Sequence, residues 1–198
     1  MAADVISLIV MALIGAMGHL SAAQPHAQAP VPTPIGTGAR YRPPAGGPAS
    51  VTGARIGGLV CASTDAALRV AHVELFARGH VLLIPPGVGI TAPRRSGAVV
   101  RGGRCRYPIW TDDPTGVVHI TRGTRATLAS LFAVWGQSLG PHRMCGFRAR
   151  RPVVAYIDGR RWRGSVRRVP LRGQAEIVVE VGRRIAPHTA YLFPEAEA

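Results

Sequence analysis

Lysine and asparagine are absent from the 198 residues, and only 10 residues are acidic. All 24 basic residues are therefore Arg, and the formal net charge is +14. A charge of that size suggests nucleic acid or an anionic membrane as partner. The missing residues argue for a different cause. Lys and Asn both have A-rich codons, while Ala, Gly, Pro, Arg and Val abound, so a GC-rich genome accounts for the arginines. The arginines are also scattered, with no aromatic interleaving and no nucleic-acid-binding motif, which sets nucleic acid aside. Catalytic signatures are lacking too. There is no serine-hydrolase elbow, phosphate loop, dinucleotide fingerprint or two-histidine helix motif. No pair among the few acids stands out as an acid/base couple, so an enzyme is the weaker class.

Only one long apolar run is present, the 14 residues Val5–Gly18. It is short for a membrane span and suits the core of a signal peptide. Ser21-Ala22-Ala23 offers a small-x-small cleavage site before Gln24. The segment before the run has no Arg and carries Asp4, so residues 1–23 are expected to be either a signal peptide or an uncleaved membrane anchor. Either way the chain is expected to be exported, to the periplasm, the extracellular space or the membrane surface, and to meet a membrane only through this segment. Residues 24–50, rich in Pro, Gly and Ala, read as a linker. A globular domain is expected over 51–186, with a C-terminal tail at 187–198 in which Tyr191 and Phe193 could pack down.

Within the domain, Arg69–Ala77 alternates. Val70, His72, Glu74 and Phe76 share one face, and the uniformly apolar Ala71, Val73, Leu75 and Ala77 should meet the core. Arg78-Gly79-His80 turns the chain into a partner strand, 81–84. Asp113-Pro114-Thr115-Gly116 fits a type I turn between extended segments 106–112 and 117–121, and turn chemistry alone accounts for Asp113. Thr127–Trp135 is the one convincing helix, with Leu128, Leu131, Phe132 and Trp135 in a single stripe, a Thr cap and Gly136 at its end. Residues 91–103 and 140–151, rich in Gly and Arg, read as exposed loops. Asp158-Gly159 signals a hairpin, and 176–181 a half-buried last strand with Glu176 and Glu180 on its outer side. The expected fold is α+β: a small, mainly antiparallel sheet of hairpins with one amphipathic helix, in an order approximating a β-grasp.

Several of these features occur together in a known family. Cys61, Ala71-His72, Cys105, Asp113-x-x-Gly116-Val117-Val118-His119-Ile120, the helix ending Trp135-Gly136-Gln137 and Tyr156-Ile157-Asp158-Gly159 resemble a family of exported bacterial proteins of unknown function. The resemblance covers about 57–183. It implies a disulfide between Cys61 and Cys105 in an oxidising compartment, leaving Cys145 as the odd thiol. It also implies a histidine pattern. The family carries alternating histidines at the positions of Leu68, Val70 and His72, His-Thr-His-Asp at 110–113, and His-Ile-Glu at 119–121. Alternating imidazoles on one strand face would suit Zn, Cu, Ni or Fe.

This chain is depleted in that pattern. Leu68, Val70, Trp110 and Asp112 stand where the family has histidine, and Thr121 where it has an acid. His72, Asp113 and His119 remain, with Asp112 as an oxygen donor. These four are the candidate metal ligands, and a satisfied histidine pair beside a turn aspartate is the plainer alternative. The expected function is an exported binding or interaction domain, with a protein or small-molecule partner in the cell envelope and a decayed polar or metal site. No cofactor is the favoured expectation and a divalent transition metal the alternative. A metal-binding envelope protein, or a metal-dependent enzyme, is the competing function.

Overall fold

The strand with the cleanest alternation lies at the centre of the sheet. In the computed structural model, residues 40–41, 55–62 and 68–193 are described. The expected leader, most of the expected linker, residues 51–54 and 63–67, and the acidic end at 194–198 lie outside them. Eight strands form the large sheet: β1 (Arg40–Tyr41), β2 (Leu68–Ala77), β3 (His80–Leu82), β4 (Ile109–Trp110), β5 (Val117–Thr121), β6 (Val154–Ile157), β7 (Arg160–Arg161) and β8 (Glu176–Val181). Helix α1 spans Leu128–Trp135.

β2 is long enough to serve three neighbours. Along one edge it pairs antiparallel with β5 over 68–72 and with β3 over 75–77. Along the other it runs parallel to β8 over 72–77. β8 continues to β6 and β7, β5 carries β4, and β3 carries β1 from the linker. Ala71, Val73, Leu75 and Ala77 of β2 join Ile177, Val179 and Val181 of β8 in the main core, with Leu128, Leu131, Phe132 and Trp135 of α1. The apolar face of β2 thus meets the core as its alternation requires.

The ends of α1 follow local chemistry. Thr127 is extended and its hydroxyl accepts from the Ser130 N–H, while the Ser130 hydroxyl accepts from the Thr127 N–H, each at 3.3 Å. Gly136 closes the helix in the left-handed region at φ 73°. Because this reciprocal cap satisfies donors the helix cannot, Thr127→Ala should cost about 1 kcal/mol in a urea titration. An unchanged midpoint would show that water replaces the cap.

The structure corrects the α+β, β-grasp-like expectation. Strand accounts for about 42% of the described residues and helix for 8%, in several sheets. Two segments read as exposed loops carry pairing. Arg94–Ser96 pairs with Val99–Gly102, and 139–148 folds into a three-stranded ladder. Neither shows apolar alternation, because these strands are two to four residues long and bury at most one residue each, Val100, Leu139 or Met144, so hydrophobic period could not reveal them. The last strand is also buried along its whole length rather than half-buried.

Two turns fall where expected. Asp158 and Gly159 both take positive φ, 50° and 73°, as a two-residue hairpin turn between β6 and β7 requires. Asp113 Oδ1 accepts from the Thr115 N–H at 2.9 Å and from the Thr115 hydroxyl, closing the turn before β5.

The disulfide is present. Cys61 and Cys105 are bonded with Cα atoms 5.6 Å apart, tying the segment before β2 to the segment before β4. Cys145 is a free thiol but buried, and desolvation pushes its pKa up to about 12. Such a thiol is inert toward ordinary oxidants.

Candidate functional site

The second face of the central strands is polar and covered. Strand register sets its composition. Val117 of β5, His72 of β2 and Glu176 of β8 lie in one cross-strand row. Trp110, His119 and Val70 form the row on one side of it. On the other side come Glu74 opposite Val178, then Phe76 opposite Glu180. The described residues include three glutamates, Glu74, Glu176 and Glu180, and all three lie on this face, 4%, 1% and 0% exposed. Burying three carboxylates is costly unless each is paired.

Residues 183–193, without regular structure, cover this face. Ile185 packs with Phe76, Val81 and Val178. Glu180 accepts from the Ile185 N–H at 3.1 Å. The Arg184 guanidinium donates to the Glu180 carbonyl and to that of Pro152. Burial raises the Glu180 pKa, against the Ile185 hydrogen bond and the Arg184 charge. His188 Nδ1 and Glu74 Oε2 share a 2.5 Å hydrogen bond. Burial pushes the Glu74 carboxyl above its usual range; this hydrogen bond pulls it down and the Glu176 charge adds to the rise. The Tyr191 ring stacks on the His72 ring, centroids 3.7 Å apart and planes 12° apart, and Phe193 meets Tyr191 edge-on.

His72 sits at the centre, 1% exposed. Its Nε2–H donates to the Thr115 carbonyl at 2.9 Å, because a carbonyl can only accept. Nδ1 therefore faces Glu176 Oε2, 2.6 Å away, with one hydrogen between them. The Glu176 backbone N–H donates to Asp158 Oδ1 at 2.9 Å, so the β6–β7 turn fixes the start of β8. Glu176 Oε1 is buried with no hydrogen-bond partner. His72, Glu74 and Glu176 each place one ligand atom within 4.8 Å of the others.

Gly116 makes the row possible. Its φ is 95°, and a Cβ there would stand 2.8 Å from the Val73 carbonyl and 3.0 Å from His72 Nε2. Gly116→Ala should therefore cost roughly 2 kcal/mol or more and disturb the His72–Thr115 bond. Denaturant unfolding would measure the cost, and a loss under 0.5 kcal/mol on that order-of-magnitude scale would show that the backbone relaxes freely.

The four candidate ligands from sequence lie in three settings. His72 and His119 face the same way from neighbouring strands, but their rings bond different carboxylates. His119 Nε2–H donates to Asp112 Oδ1 at 3.0 Å, and the ring stacks on Trp110 at 5.4 Å. Burial opposes ionisation of Asp112, yet the His119 hydrogen bond and charge, aided by Arg106, hold its carboxyl below the usual range. Asp113 is engaged by its own turn. Of the positions expected to have lost histidine, Leu68 pairs with Thr121 and lies apart from His119. Val70 and Trp110 lie beside it on either strand, and Asp112 bonds it.

Sequence reasoning missed Glu74, Glu176, His188 and Tyr191 as parts of one centre. The signal was present in their setting: glutamates are scarce, yet they recur inside the apolar runs of β2 and β8. A separate open cavity of about 440 Å³, lined in part by His142, Arg143 and Arg148, contains none of these side chains. In comparisons with family models, curated proteins and solved structures, none matches the chain.

Proposed function

We propose that this chain is an exported binding domain whose binding centre is the polar face beneath residues 183–193. One observation carries the proposal: every glutamate among the described residues is spent inside, on one sheet face, in a chain with a net charge of +14. Burial of carboxylates is costly and adds little to stability over an apolar replacement, so its retention points to use. The cover supports the same view. It is held by side-chain contacts and a few hydrogen bonds rather than by strand pairing, which makes it the part of this face that opens at least cost. While it is in place, His72 and Glu176 have no opening to a substrate, which favours binding over turnover.

Export is supported by the Cys61–Cys105 disulfide, which fits an oxidising compartment, and by the leader-like residues 1–23. No helix among the described residues is long and apolar enough to cross a membrane. Cleavage near Ala23 would release the product, and without it residues 1–23 would keep it anchored.

Two measurements test the proposal. A reporter active only outside the cytoplasm, fused after residue 50, should be active; intact but silent reporter in the cytoplasm would remove export. In hydrogen exchange, amides of 183–193 should exchange well ahead of those in β2 and β8. Equal protection in cover and sheet would make the face a closed piece of core and remove the binding centre.

A further inference from the structure

We propose that His72, Glu74 and Glu176 form a site for a divalent first-row metal ion, with Zn²⁺ the ion that suits them best. This rests on the covered face being the binding centre, and it names the ligand. Three donor atoms within 4.8 Å of one another, all from buried residues, supply the geometry.

The second observation is how these donors are held. The Thr115 carbonyl occupies His72 Nε2, so Nδ1 is the atom turned toward the carboxylates. Metal-bound histidines are oriented in this way, by a carbonyl or carboxylate on the other ring nitrogen. Glu74 is held in turn by His188, as ligating carboxylates are by their outer partners. The third observation is Glu176 Oε1, an acceptor withdrawn from water with no donor to satisfy it. A cation beside it removes that penalty.

Charge and donor type select the ion. Two carboxylates and a neutral imidazole carry two negative charges, which a divalent ion cancels inside a medium of low dielectric. Ca²⁺ and Mg²⁺ favour all-oxygen shells, whereas an imidazole nitrogen favours Zn²⁺ and its neighbours. Three protein ligands are enough for tetrahedral Zn²⁺ with one position left over. The ion would take the place of the hydrogen between Nδ1 and Oε2. Two donors on one Zn²⁺ stand roughly 3.3 Å apart, so the 2.6 Å contact must open by about 0.7 Å, a small side-chain rotation.

The exported protein, purified and stripped with a chelator, would be titrated with Zn²⁺ by calorimetry, and bound metal counted after gel filtration. One Zn²⁺ per chain is expected. Glu176→Gln keeps an amide N–H to donate to His72 Nδ1, so the fold should survive while a charged ligand is lost. It and Glu74→Gln should each weaken Zn²⁺ by roughly 100-fold or more. The double variant Asp112→Asn/His119→Gln should bind as the native protein does. Near-ultraviolet circular dichroism checks the fold of each variant, and if one glutamine variant unfolds the other decides. No Zn²⁺ taken up by native protein would overturn the site, as would uptake that survives the glutamine variants. Loss in the Asp112/His119 variant would overturn it in favour of the neighbouring pair. Hydrogen exchange of 183–193 on the same preparation reads the parent proposal separately, since a mobile cover without Zn²⁺ uptake leaves a binding face that takes something other than metal.

Discussion

Loss of the Cys61–Cys105 bond should destabilise the protein by about 4 kcal/mol, the loop-entropy estimate for a bridge closing a separation of 44 residues. Both cysteines are buried, at 5% exposure each. The bridge acts where the sheet provides little. Before β2 the described chain has only β1 on β3, the short pair Arg55–Ile56 with Leu59–Val60 and a single bridge from Ala62 to Arg106. After Cys105 come β4 and β5, which place Thr115 and Gly116 against His72. Cys61→Ser/Cys105→Ser should lower the melting temperature by roughly 10 °C. Cys145 cannot take over, because its thiol is buried and its pKa lies near 12. Calorimetric scans of the native and double-serine proteins decide the matter. A shift of only a degree or two would mean that the unfolded chain is compact enough for the cross-link to constrain nothing.

How much of this was legible depended on whether a segment had one face to bury. β2, α1 and the Asp113 turn were readable because each has a period or a turn chemistry that is local. The short Arg- and Gly-rich strands at 94–102 and 139–148 were not, since runs of two to four residues are too short to show a period. The polar centre failed for another reason. Glu176 and Glu180 alternate with Ile177, Val179 and Val181, the pattern of a strand with one wet face. That the face is dry follows from 183–193 folding back over it, which no strand-level pattern encodes. The parallel register of β8 on β2, which puts Glu176 beside His72, is likewise a long-range outcome. The expected family resemblance drew attention to His72 and His119. It offered nothing on Glu74, Glu176 or His188, the side chains that bond to or surround His72.

Glu176→Ala should be among the most destabilising single substitutions in the domain, costing roughly 3–5 kcal/mol with chelator present. The change leaves His72 Nδ1 buried with no partner, opens a void and withdraws the carboxylate from a ring already fixed by Thr115 and Tyr191. The cost belongs to the broken pair rather than to its net worth. Replacing both partners, in His72→Leu/Glu176→Leu, should therefore recover part of the loss, since an apolar pair of similar volume leaves only the part-buried Thr115 carbonyl without its donor. Glu176→Gln should cost least, because its amide N–H donates to Nδ1 while Nε2–H stays on the Thr115 carbonyl. Urea unfolding of the native protein and variants with Leu at one or both positions closes a double-mutant cycle, with an expected coupling of roughly 2–3 kcal/mol. Additive losses would show that His72 and Glu176 are stabilised by separate neighbours. In that case the 2.6 Å contact would not organise this face: Thr115 and Tyr191 would hold the His72 ring without Glu176, and Asp158 would fix only the Glu176 backbone.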